Sequence, residues 1–311
     1  MITSYGEYIK LAVDDEGTKQ VKPSLGQTYL DSALVSGGSL GGAILAYMPQ
    51  RKLIDSVAKT NLPEELIGDE SKIKKLMRAH KLEGKTPLVL DSQLKPIESA
   101  FVGKDGLKLM GKLDRWANKG RVNPAPLRTG VKNLDSATKF IRNSKRPDLW
   151  QKHGVVVTSR TPDLDILSHE LGHAGGKLVN SKTGVLLRAL NTRAPILTGF
   201  GTYARTLNNL ENPDNANNTG ANVITAAGAI PAVSTLGEEA RASLVGLKRL
   251  KEMGLSPEAL KVARGRLGKA FGTYALSAAG MHGGANLVGY LAAKRRHKIL
   301  EKKRAEAEAQ K

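Results

Sequence analysis

The sequence predicts an α+β fold that is mostly α: a small sheet, one short histidine-bearing helix, and a later series of hydrophobic helices. Three observations predict it. The run "HGVVVTS" (His153 to Ser159) holds three consecutive valines, and two shorter runs of the same kind precede it. The stretch "DILSHELGHAGG" (Asp165 to Gly176) places two histidines four residues apart on an apolar background. Beyond it, long uncharged Gly- and Ala-rich segments alternate with basic ones, a pattern of helices.

Composition narrows the chemistry. The 311 residues are enough for two domains or one large one. There is no cysteine, so disulfides, thiolate metal sites and cysteine nucleophiles are all excluded, leaving His, Asp and Glu as metal ligands. The net charge of +19 suggests an acidic partner, whether nucleic acid, anionic lipid or a polyanionic surface, with a solvated, salt-laced helical surface as the simpler alternative. Much of the excess lies between Arg241 and Lys311, which hold 16 Lys/Arg against 5 Asp/Glu. Aromatic content of 4% disfavours a base-stacking platform. The opening "MITSYGEYIKLAVDDEG" is too acidic for a secretory signal.

Residues 1–84 read as a helical N-terminal region, beginning with a short helix in "YGEYIKLAV". Within it, residues 32–48 ("SALVSGGSLGGAILAYM") carry no charge, and Gly37/Gly41 and Gly38/Gly42 have the spacing that lets helices approach closely. The amphipathic stretch from Pro63 to Leu82 predicts a helix with an acidic start and a basic end.

Residues 85–255 read as the core. "TPLVLDS" and "ESAFVGK" are short strands, "LDSATKFIRNSK" is a helix, and "HGVVVTS" is the principal strand before the motif. A hydrophobic hairpin at 184–237 follows, its first arm interrupted by Arg188, Arg193 and Arg205 and its turn formed by "ENPDNANNTG". Residues 256–311 supply an apolar helix, Ala270 to Ala293, which stops at "KRRHK" and ends in a basic tail. The 24 uncharged residues are long enough to cross a bilayer with tilt, and a basic stop is the usual cytoplasmic flank.

On a helix, His169 and His173 share a face one turn apart, so both imidazoles can reach one ion. Glu170, turned about 100° around the axis, can stand beside the ion's water and act as general base. H-E-x-x-H at this spacing is the arrangement of zinc-dependent hydrolases of peptide bonds. Two histidines on an ordinary helix face are the simpler alternative. A third ligand is needed, and Val179 stands where one class of these enzymes places a third histidine. "STLGEEARASLVGLKRL" offers Glu238 or Glu239 instead. By i+3 and i+4 spacing Glu239 shares its face with Ala242 and Ser243, small enough for close approach, and Ser243 could hydrogen-bond a ligand. Glu238 is followed at i+3 by Arg241, which suggests a surface ion pair or a substrate contact.

HELGHA, a hydrophobic hairpin and then E-x-x-A-S together resemble the membrane-associated zinc peptidases of the YugP-like group over residues 150–250. The resemblance implies a zincin-like sheet and gluzincin-type zinc ligands His169, His173 and Glu239, with Glu170 as base. It also implies a protein or peptide substrate and a membrane location. The Gly/Ala-rich, basic, aromatic-poor texture is similar as well to virion proteins of tailed phages, which makes a structural or ejected virion protein the alternative. His153 reads as a strand-flanking residue and His282 as a product of close helix packing.

Overall fold

The computed structural model describes residues 25–103, 154–177, 181–191 and 194–310. The expected helices at "YGEYIKLAV" and "LDSATKFIRNSK", together with His153 and Val179, lie outside these residues. In chain order the elements are α1 (Leu25–Ala58), a 3-10 turn (Glu64–Leu66), α2 (Glu70–Ala79), β1 (Leu88–Asp91), β2 (Ala100–Val102) and β3 (Val155–Ser159). Then come α3 (Leu164–Ala174), α4 (Lys182–Asn191), α5 (Ala194–Glu211), α6 (Thr219–Glu252) and α7 (Pro257–Ala309). The protein is therefore mostly helical with a small mixed sheet.

Local chemistry accounts for where the elements begin and end. The amphipathic stretch from Pro63 forms two pieces rather than one helix. Gly68 N–H donates to Pro162 O across the chain, and Asp69 then caps α2 by accepting from Lys72 N at 2.8 Å. The 53-residue α7 absorbs the basic segment, the apolar run and the tail into one helix. Ser256 Oγ accepts from Ala259 N at its start, and Pro257 occupies the first helical position, where a missing N–H costs nothing.

The described chain divides into two compact units. One comprises residues 48–190 and 233–276 and contains the sheet and the motif helix α3. Its strand order is β1-β3-β2, with β1 parallel to β3 and β2 antiparallel to it. The central position of β3 explains its valines. Val155 and Val157 pack with Leu94 on one face, while Val156 joins Leu164, Leu167 and Leu171 of α3 on the other. All three valines are fully buried, each worth roughly 1.5–3 kcal/mol. Gly154 enters β3 with φ of 75°, and a side chain there would also meet Val102 O and the Phe101 ring.

α3 is buried along nearly its whole length. Its N-terminal turn is anchored by Arg266 of α7, which is 2% exposed and pairs with Asp163 and with Asp165. The segment 233–252 of α6 crosses α3 at bare backbone. A Cβ on Gly172 would lie 2.6 Å from Ala242 O, and one on Gly246 would lie 3.1 Å from His169 N.

The other unit comprises residues 1–47, 191–232 and 277–311, and its described part is helical: α5 whole, with parts of α1, α6 and α7. Side chains at Gly38 and Gly42 of α1 would collide with the backbone of Gly284 and Gly280 in α7. Gly37 and Gly41 face open space, so only one of the two four-residue glycine spacings is a packing seam. Small and polar residues lie inside this unit: Ser39 and Thr198 are buried, Thr198 Oγ1 contacts His282 Nδ1 at 3.1 Å, and Thr202 donates to Asn286 at 2.9 Å. Large apolar side chains lie outside, among them Leu40, Ile44, Leu45, Val223, Ile230 and Leu287. Among the described residues α6 is the one helix long and apolar enough to cross a membrane, and little of that stretch is buried.

Candidate metal centre

Two helices build the site. α3 presents His169 and His173 on one face, and α6 presents Glu238, Glu239 and Ser243 opposite them. Because Gly172 and Gly246 let the backbones meet, the short reach of a glutamate suffices to bring Glu239 to both rings. His169 Nε2 lies 3.1 Å from His173 Nε2, and Glu239 Oε2 lies 3.2 Å from the first and 3.4 Å from the second. These three atoms form a nearly equilateral triangle. For bonds of about 2.0–2.1 Å in tetrahedral directions, ligand atoms around zinc stand roughly 3.3–3.4 Å apart. The donor set of two imidazole nitrogens and one carboxylate oxygen therefore fits that ion in both type and spacing. The cluster His169, His173 and Glu239 is a possible metal-binding triad.

The outer nitrogens of both rings are also engaged. His169 Nδ1 lies 3.0 Å from Ser243 Oγ, and His173 Nδ1 lies 3.4 Å from Glu238 Oε1. Glu238 is paired with Arg241 as its sequence position suggested, but it is buried: the Glu238 side chain is only 10% exposed, against 38% for Arg241. Burial works against the charged forms throughout this cluster. For Glu238 and Glu239 the bonds to His173, Arg241 and His169 outweigh it and hold each carboxyl down at about 2. For His173 the same bonds, from Glu238 and Glu239, outweigh burial and raise the ring to about 9.

Glu170 takes the side of α3 that faces the sheet. Its Oε2 accepts from Phe101 N of the edge strand β2 at 2.7 Å. Burial raises its pKa, only partly offset by the nearby His169 and His173. The phenol of Tyr274 on α7 lies within electrostatic reach of Glu239 and Glu170.

The structure thus brings together His169, Glu170, His173, Glu239 and Ser243, all singled out from sequence. His282 lies apart from them, beside Thr198 in the other unit. Other participants were not legible. His80 Nε2 reaches Ser168 Oγ at 2.9 Å, and Ser168 in turn donates to Gly246 O at 3.0 Å, joining α2, α3 and α6. Arg266, Phe101 N and Tyr274 also come from distant parts of the chain.

No protein-family model matches the chain, and no curated protein or solved structure matches it.

Proposed function

We propose that this chain is a zinc metallopeptidase of the HExxH, gluzincin type that acts at a membrane. One observation carries the reading: His169 Nε2, His173 Nε2 and Glu239 Oε2 converge at 3.1–3.4 Å, with Glu170 on the adjoining face of the same helix. In support, the third donor comes from a largely enclosed glutamate 70 residues away, which two histidines on an ordinary helix face do not need.

When bound, zinc supplies Lewis acidity, acidifying water and polarising a carbonyl oxygen. His169, His173 and Glu239 would hold it. Glu170 is the proton acceptor: its buried carboxylate takes a proton from the attacking water and passes it to the leaving amine. A raised pKa suits both halves of that task, because the best acid–base catalyst titrates near the working pH. The hydrogen bond from Phe101 N fixes one carboxylate oxygen, and the other would take the proton.

The membrane reading is supported by the distribution of polarity in the helical unit. Thr198, His282, Thr202 and Asn286 pair with one another while Leu40, Ile44 and Leu45 are 68%, 71% and 81% exposed. That order is the reverse of a water-soluble bundle and is the one hydrocarbon surroundings favour. The uncharged part of α6, Ala221 to Gly237, ends just before Glu238.

The test is elemental analysis of purified protein beside peptide hydrolysis. About one zinc per chain is expected, lost in His169→Ala, His173→Ala and Glu239→Ala, because two ligands hold zinc poorly. Equal metal content in wild type and all three variants removes the site.

A further inference from the structure

The proposed donors account for one nitrogen of each histidine; the other nitrogen of His173 has its own partner. Glu238 Oε1 stands 3.4 Å from His173 Nδ1. Both carboxylate oxygens of Glu238 are gripped by Arg241, Oε2 from Nε at 3.0 Å and Oε1 from Nη2 at 2.6 Å. The same Nη2 also donates to Gly172 O at 2.9 Å, so Arg241 ties Glu238 back to the motif helix one residue from His173. Room for this arrangement comes from Gly176. A Cβ there would lie 2.7 Å from Glu238 Oε1 and would overlap the Arg241 guanidinium. The second glycine of "HAGG" is thus accounted for by the space the pair occupies.

We infer that Glu238 is a positioning residue for His173, itself fixed by Arg241, and not a ligand. With zinc bound, a carboxylate facing Nδ1 keeps the proton on that nitrogen and leaves the Nε2 lone pair for the ion. Ser243 Oγ occupies the corresponding place beside His169, 3.0 Å from its Nδ1. The two adjacent glutamates divide the work: Glu239 faces the inner nitrogens and Glu238 an outer one. Arg241 keeps Glu238 from rotating inward to compete as a ligand.

The inference rests on the zinc reading above, and zinc affinity separates the two. Full-length wild type, Glu238→Ala, Glu238→Gln and Glu239→Ala are titrated against a chromophoric chelator. Proton–nitrogen correlation spectra of the zinc-loaded proteins read the tautomer of His173. Glu238→Ala is expected to bind zinc about 10–100-fold more weakly while still reaching one ion per chain at saturation. In Glu238→Gln, a neutral oxygen replaces a charged acceptor, so the His173 Nδ1–H resonance moves upfield and part of the affinity returns. Glu239→Ala loses the stoichiometric ion. Affinity in Glu238→Ala within about twofold of wild type overturns the inference. Loss of the ion in Glu238→Ala with retention in Glu239→Ala also overturns it, by exchanging the two roles. Should Glu238→Ala not fold, Glu238→Gln decides: unchanged affinity with an unchanged His173 resonance is the overturning result. A wild type that binds no zinc removes the proposed function as well, whereas an insensitive Glu238 in a zinc-binding protein removes only this inference.

Discussion

Gly172 and Ala242 meet backbone to backbone, so that a methyl group on the glycine would stand 2.6 Å from the Ala242 carbonyl oxygen. This contact sets the separation between the helix carrying His169 and His173 and the helix carrying Glu239. Gly172→Ala must push the helices apart and is expected to cost about 1–3 kcal/mol, the usual range for overpacking. Zinc affinity should fall with it. Gly237 lies in the same α6 with nothing within 4 Å of an added Cβ. Gly237→Ala is therefore expected to be neutral or to stabilise by up to about 1 kcal/mol. Urea midpoints of the two variants check the pair; equal effects would mean that the contact does not set the spacing.

Glu170→Gln should bind zinc as tightly as wild type and lose about 10²- to 10⁴-fold in peptide hydrolysis. The amide oxygen can still accept from Phe101 N, so the geometry survives while the proton acceptor does not. Substantial hydrolysis by this variant, measured on metal-replete protein, would assign the base elsewhere.

Two buried groups set opposite pH dependences in one window. Burial, with Arg249 nearby, pushes His80 down from 6.5 to about 4. The unfolded chain then takes up its proton first, and stability is lost as pH falls from about 6.5 to 4. At about 1.4 kcal/mol per unit this amounts to at most about 3 kcal/mol. Burial raises Asp165 from 3.8 to about 6 in spite of Arg266. The folded state binds that proton first, so stability is gained as pH falls from about 6 to 4. The His80→Gln variant should become relatively more stable toward pH 4, and Asp165→Asn relatively less stable, each compared with wild type by urea titration at both ends of the window. Parallel curves for all three would show that neither group titrates as described.

Arg266→Met removes the cation between Asp163 and Asp165 while keeping an apolar stem of similar length. Stranding the two carboxylates is expected to cost about 3–5 kcal/mol. Adding Asp165→Asn to that variant should recover part of the loss, because one buried negative charge is gone. Thermal or urea unfolding decides; an equal loss in the single and double variants would mean that the pair contributes packing only.

In the helical unit, a side chain on Gly284 would collide with the Gly38 carbonyl, while one on the neighbouring Gly283 would meet nothing within 4 Å. Gly284→Leu should therefore lower the melting temperature of detergent-solubilised protein, and Gly283→Leu should not. Alkaline carbonate extraction of membranes is expected to leave the wild type in the pellet. Full release would remove the integral-membrane reading and leave the zinc site intact.

What could be read from the sequence was what repeats locally. The i, i+4 histidines, the small residues on the face of Glu239 and the valine run of the fully buried β3 all follow from neighbours a few positions apart. Ser243 beside His169 follows from that same spacing. For Glu238 the sequence suggests a surface ion pair or a substrate contact, because Arg241 lies one turn away; that Gly176 opens a berth in which Glu238 is buried depends on a contact between separate elements. His80, Phe101 and Arg266 are linked to α3 across 88, 69 and 101 residues, and no periodicity carries such distances. The length of α7 was hidden for another reason. Gly and Ala dilute its apolar run and charges flank it, so three stretches of different composition form one continuous helix.

The donor triangle also has an order in time. Glu239 follows His169 by 70 residues, and the hydrophobic hairpin is synthesised between them. At about 5–20 residues per second of translation, the histidines wait several seconds for the glutamate. A nascent chain in that interval carries the two histidines without their third partner. The triad can close only after the uncharged first part of α6, Ala221 to Gly237, has been made.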